Sequence, residues 1–287
     1  MGAARLIIDE PLAGPLNMAR DEALLETCTG HGAPPVLRMY AWSPPTISLG
    51  YFQDYAEYEN LAPPAGKLAV VRRTTGGGAI LHDLEVTYSL TVPVEHPLVA
   101  DRPNHLYTLA HEAVIAAIGH GVHLLGTDSD ACDGSARRGP FFCFARRHGL
   151  DVVVDAPCVG DDQLREKEDE PRASARAASR THGDPEIERH AVAKIAGSAQ
   201  RRTKQAILQH GSIMLGSRYA QQPVATWSDL AGKSIDFSLA AAHLIPAFEH
   251  RLGVSFAKES WHAAELEAAD EIGVRYAGAD WTIRRQR

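Results

Sequence analysis

The sequence predicts an α+β fold: a mixed, largely antiparallel β-sheet flanked by helices. Three observations carry that expectation. Strand-like segments with a few helices fill most of the chain and helices close it, an order that argues against regularly alternating βαβ units. Gly76, Gly77 and Gly78 join two strand-like segments rather than a strand and a helix, which disfavours a doubly wound dinucleotide fold. The 287 residues, 45% hydrophobic and 23% charged, suit a soluble globular chain with ample core. One domain over residues 1–287 is expected.

The segments follow in order. RLIIDE reads as a strand and PLNMARDEALLETC as a helix, with Pro15 early and apolar residues at helical spacing. PVLRMYAW and PTISLGYFQ alternate like strands on either side of the turn residues SPP. KLAVVRR runs into the glycines and EVTYSLTVPV leaves them, which predicts a hairpin-like loop. NHLYTLAHEAVIAAIGHG is a helix with Asn104 as its cap. FFCFA, LDVVVD, AVAKIAGSAQRR and QAILQHGSIML read as strands, and residues 236–287 as a helical C-terminal tail. Residues 161–190 are polar and mixed in charge; they hold too little apolar surface to offset their ordering entropy, so a disordered insertion is expected there.

Composition excludes several functions. No apolar run approaches the ~18 residues a membrane span needs, and MGAARLIIDEPLAG lacks the pattern of a signal peptide, so a cytoplasmic protein is expected. The net charge of -7 argues against nucleic-acid binding, although Arg72-Arg73, Arg137-Arg138, Arg146-Arg147 and Arg201-Arg202 would suit an acidic partner if they shared a face. Cys28, Cys132, Cys143 and Cys158 show no metal spacing, so no metal site is expected and each is either packing or a reactive thiol.

Two stretches carry chemistry. The glycines in RRTTGGGAILHD match neither a Walker loop nor GxGxxG; a bare backbone entering an apolar strand suits an apolar substrate, and equally a tight turn. In KIAGSAQRR, Lys194 lies among apolar neighbours, where its pKa can fall or its charge can hold a substrate carbonyl or phosphate. Ala196, Gly197, Ser198 and Ala199 leave room for a ligand.

Together these stretches resemble the two signatures of the lipoate–protein ligase and octanoyltransferase superfamily, RRxSGGGAVxHD and a lysine before [IV]xGxA. NMARDEALLE and PTISLGYFQ resemble its N-terminal segments, so the match runs in order from about residue 5 to residue 215. The resemblance implies a sheet like that of biotin–protein ligase catalytic domains, with the glycines lining a tunnel for an eight-carbon or lipoyl tail. By the same token Arg73, Gly76, Gly77, Gly78, His82, Gly197, Ser198, Ala199 and His210 are expected around the substrate.

Two chemistries share that scaffold. A ligase uses ATP, with Mg, to make lipoyl-adenylate; an octanoyltransferase takes octanoyl from acyl carrier protein onto a cysteine and needs no cofactor. Both deliver the acyl group to a lysine of a lipoyl carrier domain, such as the glycine cleavage H protein or a 2-oxoacid dehydrogenase acyltransferase subunit. HDLEVTYSL resembles the transferase form HDxELTYS, and FFCFARRHGLDVVVD resembles ACFxxPSxYELVV with Cys143 at the acyl-accepting position and the offset to Asp151 kept. The short C-terminal tail, without a ligase-like accessory domain, points the same way. Two features depart: Arg147-His148 replace the local PS, and Gly78 stands where the transferase pattern often has arginine and ligases keep glycine. The resemblance thus implies an octanoyltransferase, with the ligase as alternative. Cys143 would be the nucleophile, with Lys194 its cationic neighbour, carbonyl-orienting group and proton shuttle. Amides near Gly76, Gly77, Gly78 or Gly197 would steady the oxyanion.

Overall fold

The strand β6 (Glu85–Pro93) is buried along its whole length because its two faces meet different neighbours. Val86, Tyr88, Leu90 and Val92 pack in the main core with helices α3 (His105–Ile118) and α5 (Phe237–Leu252), through Leu106, Ala110, Val114, Leu244 and Phe248. The alternate residues Glu85, Thr87, Ser89 and Thr91 are buried and polar. His82 and Ser212 meet Glu85 on that buried polar face.

The computed structural model describes residues 2–28, 32–99, 102, 104–119, 121–126, 140–155 and 192–286. The expected insertion at 161–190, together with Cys132 and Cys158, lies outside the described residues. Around β6 are β1 (Gly2–Ile8), β2 (Val36–Tyr40), β7 (Val122–Leu124), β8 (Val152–Asp155), β9 (Val192–Arg202), β10 (Ala206–Met214) and β11 (Val254–Lys258). They form one sheet in the order β11-β1-β2-β6-β10-β9-β8-β7. Only the β11-β1 and β1-β2 pairs are parallel, so the sheet is mixed and largely antiparallel, as the sequence predicts. A second sheet has the order β4-β3-β5, from β3 (Thr46–Leu49), β4 (Ala69–Arg72) and β5 (Ile80–His82).

Four local expectations change. KLAVVRR and EVTYSLTVPV do not pair with each other: the first ends in β4, which pairs parallel with β3, the second is β6 in the main sheet, and between the glycines and β6 runs β5, antiparallel to β3. The glycine stretch therefore crosses over β3 instead of closing a hairpin. FFCFA is not a strand; Phe142 bridges Ala79 and Cys143–Ala145 turn as a 3-10 helix. Asn104 begins α3 without a side-chain capping bond. Residues 236–287 are not purely helical, because β11 adds to the sheet edge beside β1.

The helices at that end are built into the molecule. Asp236 caps α5 by accepting from the Leu239 amide, and Gly253 ends it at φ 66°, a conformation that glycine adopts without a Cβ penalty. Helix α6 (Ala263–Ala277) packs on α1 (Gly14–Thr27), with Tyr276 and Arg275 on Glu22. In α7 (Ala279–Arg284), buried Trp281 donates to the Arg72 carbonyl at 2.8 Å and the Thr282 carbonyl accepts from Arg72 Nε at 2.9 Å. The C-terminal residues thus clamp the strand that leads into the glycines.

Candidate active site

Strand register brings the distant functional residues together. β9 lies between β10 and β8, with Lys194 opposite Val153, so Lys194 faces the chain that enters β8. That chain contains Asp151 and, eight residues earlier, Cys143. The bridge at Phe142 ties it to the glycine crossover: the Ala79 amide donates to the Phe141 carbonyl at 2.9 Å, and the Cys143 amide to the Ala79 carbonyl at 2.7 Å. A cavity of about 440 Å³ opens above this junction, lined by Gly76, Gly77, Gly78, Cys143, Lys194, Ser198 and Ala199 among others.

Lys194 is 3% exposed, and its Nζ sits 2.8 Å from Asp151 Oδ1 and 3.6 Å from Cys143 Sγ. Asp151 is itself fixed, since its Oδ2 accepts the His148 amide at 2.8 Å. Burial pulls the pKa of Lys194 down, but Cys143 and Asp151 together outweigh burial and raise it. Of the possibilities open in the sequence, the Asp151 contact and the raised pKa favour the charged lysine over the neutral one. Its own chain makes the room, for a Cβ at Gly197 would lie 2.4 Å from Lys194 Cε. Gly197 serves Lys194 rather than a ligand, whereas Ser198 and Ala199 do line the cavity.

The glycines have distinct tasks. Gly77 has φ +93°, in the left-handed region. At Gly78 a Cβ would stand 2.7 Å from Arg146 Nε and 2.9 Å from the Cys143 nitrogen, so the bare backbone lets the cysteine turn come close. Arg73 holds the crossover from beneath, donating to the carbonyls of Gly76 and Gly78 at 2.7 Å each and to Ser48 and Thr75. All three guanidinium nitrogens are thereby committed to protein, so Arg73 positions the loop. Burial lowers its pKa to about 10, which leaves it charged at neutral pH next to the cysteine. Among the described residues the amides of Gly76, Gly77 and Gly78 donate to no protein group, which leaves them available to an oxyanion.

His82 and His210 lie deeper. His82 stacks on Trp42 with centroids 3.8 Å apart, and its nitrogens meet Glu85 at 2.7 Å and Ser48 at 2.8 Å. Burial outweighs Glu85 and lowers its pKa, so the ring is neutral. His210 bridges Asp21 at 3.0 Å to Thr75 at 2.7 Å. Both rings line a narrow apolar slot with Met18, Trp42 and Ile80, and this slot shares Ala199 with the main cavity.

Sequence reasoning missed His111 and the pairing role of Asp151. His111 is an isolated histidine in an apolar helix, so no spacing flags it. Its Nδ1 donates to the Leu150 carbonyl and its Nε2 meets Ser198 Oγ at 2.7 Å, facing the same cavity. Burial lowers its pKa to about 4. For Asp151 the signal was its fixed offset from Cys143; what it touches was not legible. Cys28 is buried with a raised pKa caused by burial, which fits packing.

The family described as the lipoyl protein ligase A/B catalytic domain matches residues 14–227. The chain belongs to this family. Octanoyltransferase LipM of Bacillus subtilis (strain 168) is 35% identical to it, over 97% of both chains. Ta0514, a putative lipoate protein ligase from T. acidophilum, superimposes with a TM-score of 0.70 at 19% identity and 99% coverage of both chains. A bipartite lipoate protein ligase from Thermoplasma acidophilum, described with its E2 lipoyl domain, gives a TM-score of 0.65 at 19% identity, covering 100% of this chain and 98% of the other. The lipoyl protein ligase fold of the sheet and helices is thus established.

Proposed function

We infer that this lipoyl protein ligase family member is an octanoyltransferase of lipoate biosynthesis, holding octanoyl on Cys143 between a thioester donor and a carrier lysine. The observation that carries this reading is the Lys194 ammonium ion set against the Cys143 sulfur at the edge of the glycine-floored cavity. A thiol of ordinary pKa ~8.5 is mostly protonated at neutral pH, and a cation in contact with it favours the nucleophilic thiolate. The LipM relatives, matched over nearly their whole length, support octanoyl as the group transferred.

In the first step Cys143 Sγ bonds to the octanoyl carbonyl carbon and the donor's C–S bond breaks. In net, the proton that Cys143 releases on ionising reaches the departing thiol: Lys194 gives its proton to the leaving sulfur and is recharged with the one the cysteine released. The carbonyl oxygen, negative in the tetrahedral intermediate, faces the unpaired amides of residues 76–78. In the second step the carrier lysine's amine attacks the same carbon, the C–Sγ bond breaks, and an amine proton ends on Cys143. The apolar slot beyond Ala199, between Met18, Ile80 and the stacked Trp42 and His82, takes the acyl tail. The donor in this reading is octanoyl-acyl carrier protein. The acceptor is the lysine of a lipoyl carrier domain, on the glycine cleavage H protein or a 2-oxoacid dehydrogenase acyltransferase subunit. Because the donor is already a thioester, the route needs neither ATP nor Mg.

Intact mass after incubation with octanoyl-acyl carrier protein, without ATP, tests this. Wild type gains one octanoyl group, which hydroxylamine removes, and Cys143→Ala gains none. Carrier modification that needs lipoate and ATP, with no adduct on wild type, overturns the cysteine route in favour of a ligase.

A further inference from the structure

A lysine that accepts and returns protons beside a thiol can lose its charge by burial alone. Lys194 has almost no solvent contact, and the Phe144 ring lies 5.4 Å from its Nζ. The titratable groups facing it come from three places: Cys143 on the 3-10 turn, Asp151 before β8, and His111 on α3, with Arg147 and His148 lining the same cavity. His111 is neutral near pH 7 and offers no negative charge. Arg147 is occupied by the carbonyls of Phe144, Arg146 and Val192. Asp151 is the carboxylate in contact with Lys194, at 2.8 Å, and it is 6% exposed.

We propose that Asp151 is the positioning residue of the acyl-transfer site, holding Lys194 against the Cys143 sulfur and returning it to the ammonium form between proton transfers. The proposal rests on the reading of Cys143 and Lys194 given above. Its geometry is a chain of three contacts: the His148 amide fixes Asp151 Oδ2, Asp151 Oδ1 fixes Lys194 Nζ, and Nζ reaches Sγ. Each contact restricts the next, so Nζ is held within reach of Sγ at the cavity wall.

This assigns Lys194 one direction of proton transfer first. As an ammonium ion it starts by donating, to the departing thiol in the first step and to Cys143 Sγ in the second. It is then recharged from the Cys143 thiol or from the incoming amine, so the proton count closes in both steps. Without the carboxylate, the burial that already pulls the Lys194 pKa down is opposed by Cys143 alone.

The test is the pH dependence of Cys143 acylation by octanoyl-acyl carrier protein, followed by intact mass in a single turnover. In wild type the rate is expected to persist into the alkaline range. In Asp151→Asn the alkaline limb, set by loss of the Lys194 proton, is expected to move down by at least about one pH unit, a tenfold loss at a fixed alkaline pH. Asp151→Glu, which keeps the charge, is expected to restore the limb. A purely structural role for Asp151 would scale the rate down equally at every pH, and that result overturns the proposal. Should Asp151→Asn fail to fold, NMR titration of the Lys194 ε-ammonium group in wild type decides: titration at or below neutral pH overturns it. If Cys143→Ala is acylated as fast as wild type, the underlying cysteine reading has failed instead.

Discussion

Replacing the three glycines one at a time by alanine should separate three physical effects within three consecutive residues. At Gly76 an added Cβ meets nothing within 4 Å and the backbone is not left-handed, so Gly76→Ala has no contact to break. It should stabilise the fold by up to about 0.4–1 kcal/mol through the unfolded chain. At Gly77, φ +93° and Arg73 Nη2 3.1 Å from the Cβ together predict a loss of about 1–2 kcal/mol. At Gly78 the Cβ would lie 2.9 Å and 3.0 Å from backbone atoms of Cys143, where ordinary contact begins near 3.4 Å. The cysteine turn must therefore retreat by about half an ångström, against the two hydrogen bonds that tie Cys143 and Phe141 to Ala79. A misplacement of about 1 Å at a reacting centre can cost about 100-fold, so half that distance should lower acylation about tenfold. Overpacking should cost a further ~1–3 kcal/mol of stability. The assays are urea unfolding and the single-turnover rate of octanoyl adduct formation. Two results would refute the reasoning: Gly78→Ala acylating at the wild-type rate, or Gly76→Ala as damaging as Gly78→Ala.

Two further predictions use other parts of the site. Ala199→Leu should add bulk at the residue that the cavity and the apolar slot share, abolishing the octanoyl adduct while small alkylating reagents still modify Cys143; loss of both reactions would mean the cysteine turn itself had moved. His111, with its pKa lowered to about 4 by burial, stays neutral in the folded state while an unfolded histidine gains a proton near 6.5. The unfolded state therefore binds more protons between those values, and stability is full above about pH 6.5 and falls as the pH drops towards 4. His82 acts in the same direction, so the contribution of His111 is the difference between wild type and His111→Gln. In urea titrations at about pH 7 and about pH 5, the variant should lose less stability than wild type. An equal loss would show that His111 titrates normally in the fold.

The sequence by itself determined the fold class and most strand and helix positions. These properties are local: alternation marks β6, helical spacing marks α3 and α5, and a glycine run announces a backbone that something must approach. The resemblance of FFCFARRHGLDVVVD and KIAGSAQRR singled out Cys143 and Lys194, although nothing local says that residues 51 positions apart meet.

Tertiary structure alone decided how those groups are used. The glycine crossover is not a hairpin because β3 intervenes, and β11 pairs with β1 from the opposite end of the chain; both are long-range pairings that no local pattern encodes. Arg73 reads as a substrate arginine until its nitrogens are seen on the carbonyls of Gly76, Gly78 and Ser48. Lys194 reads as a lysine that burial can neutralise until Asp151 is found 2.8 Å away. Charge state and hydrogen-bond occupancy depend on every neighbour within a few ångströms, and only the folded chain supplies those neighbours.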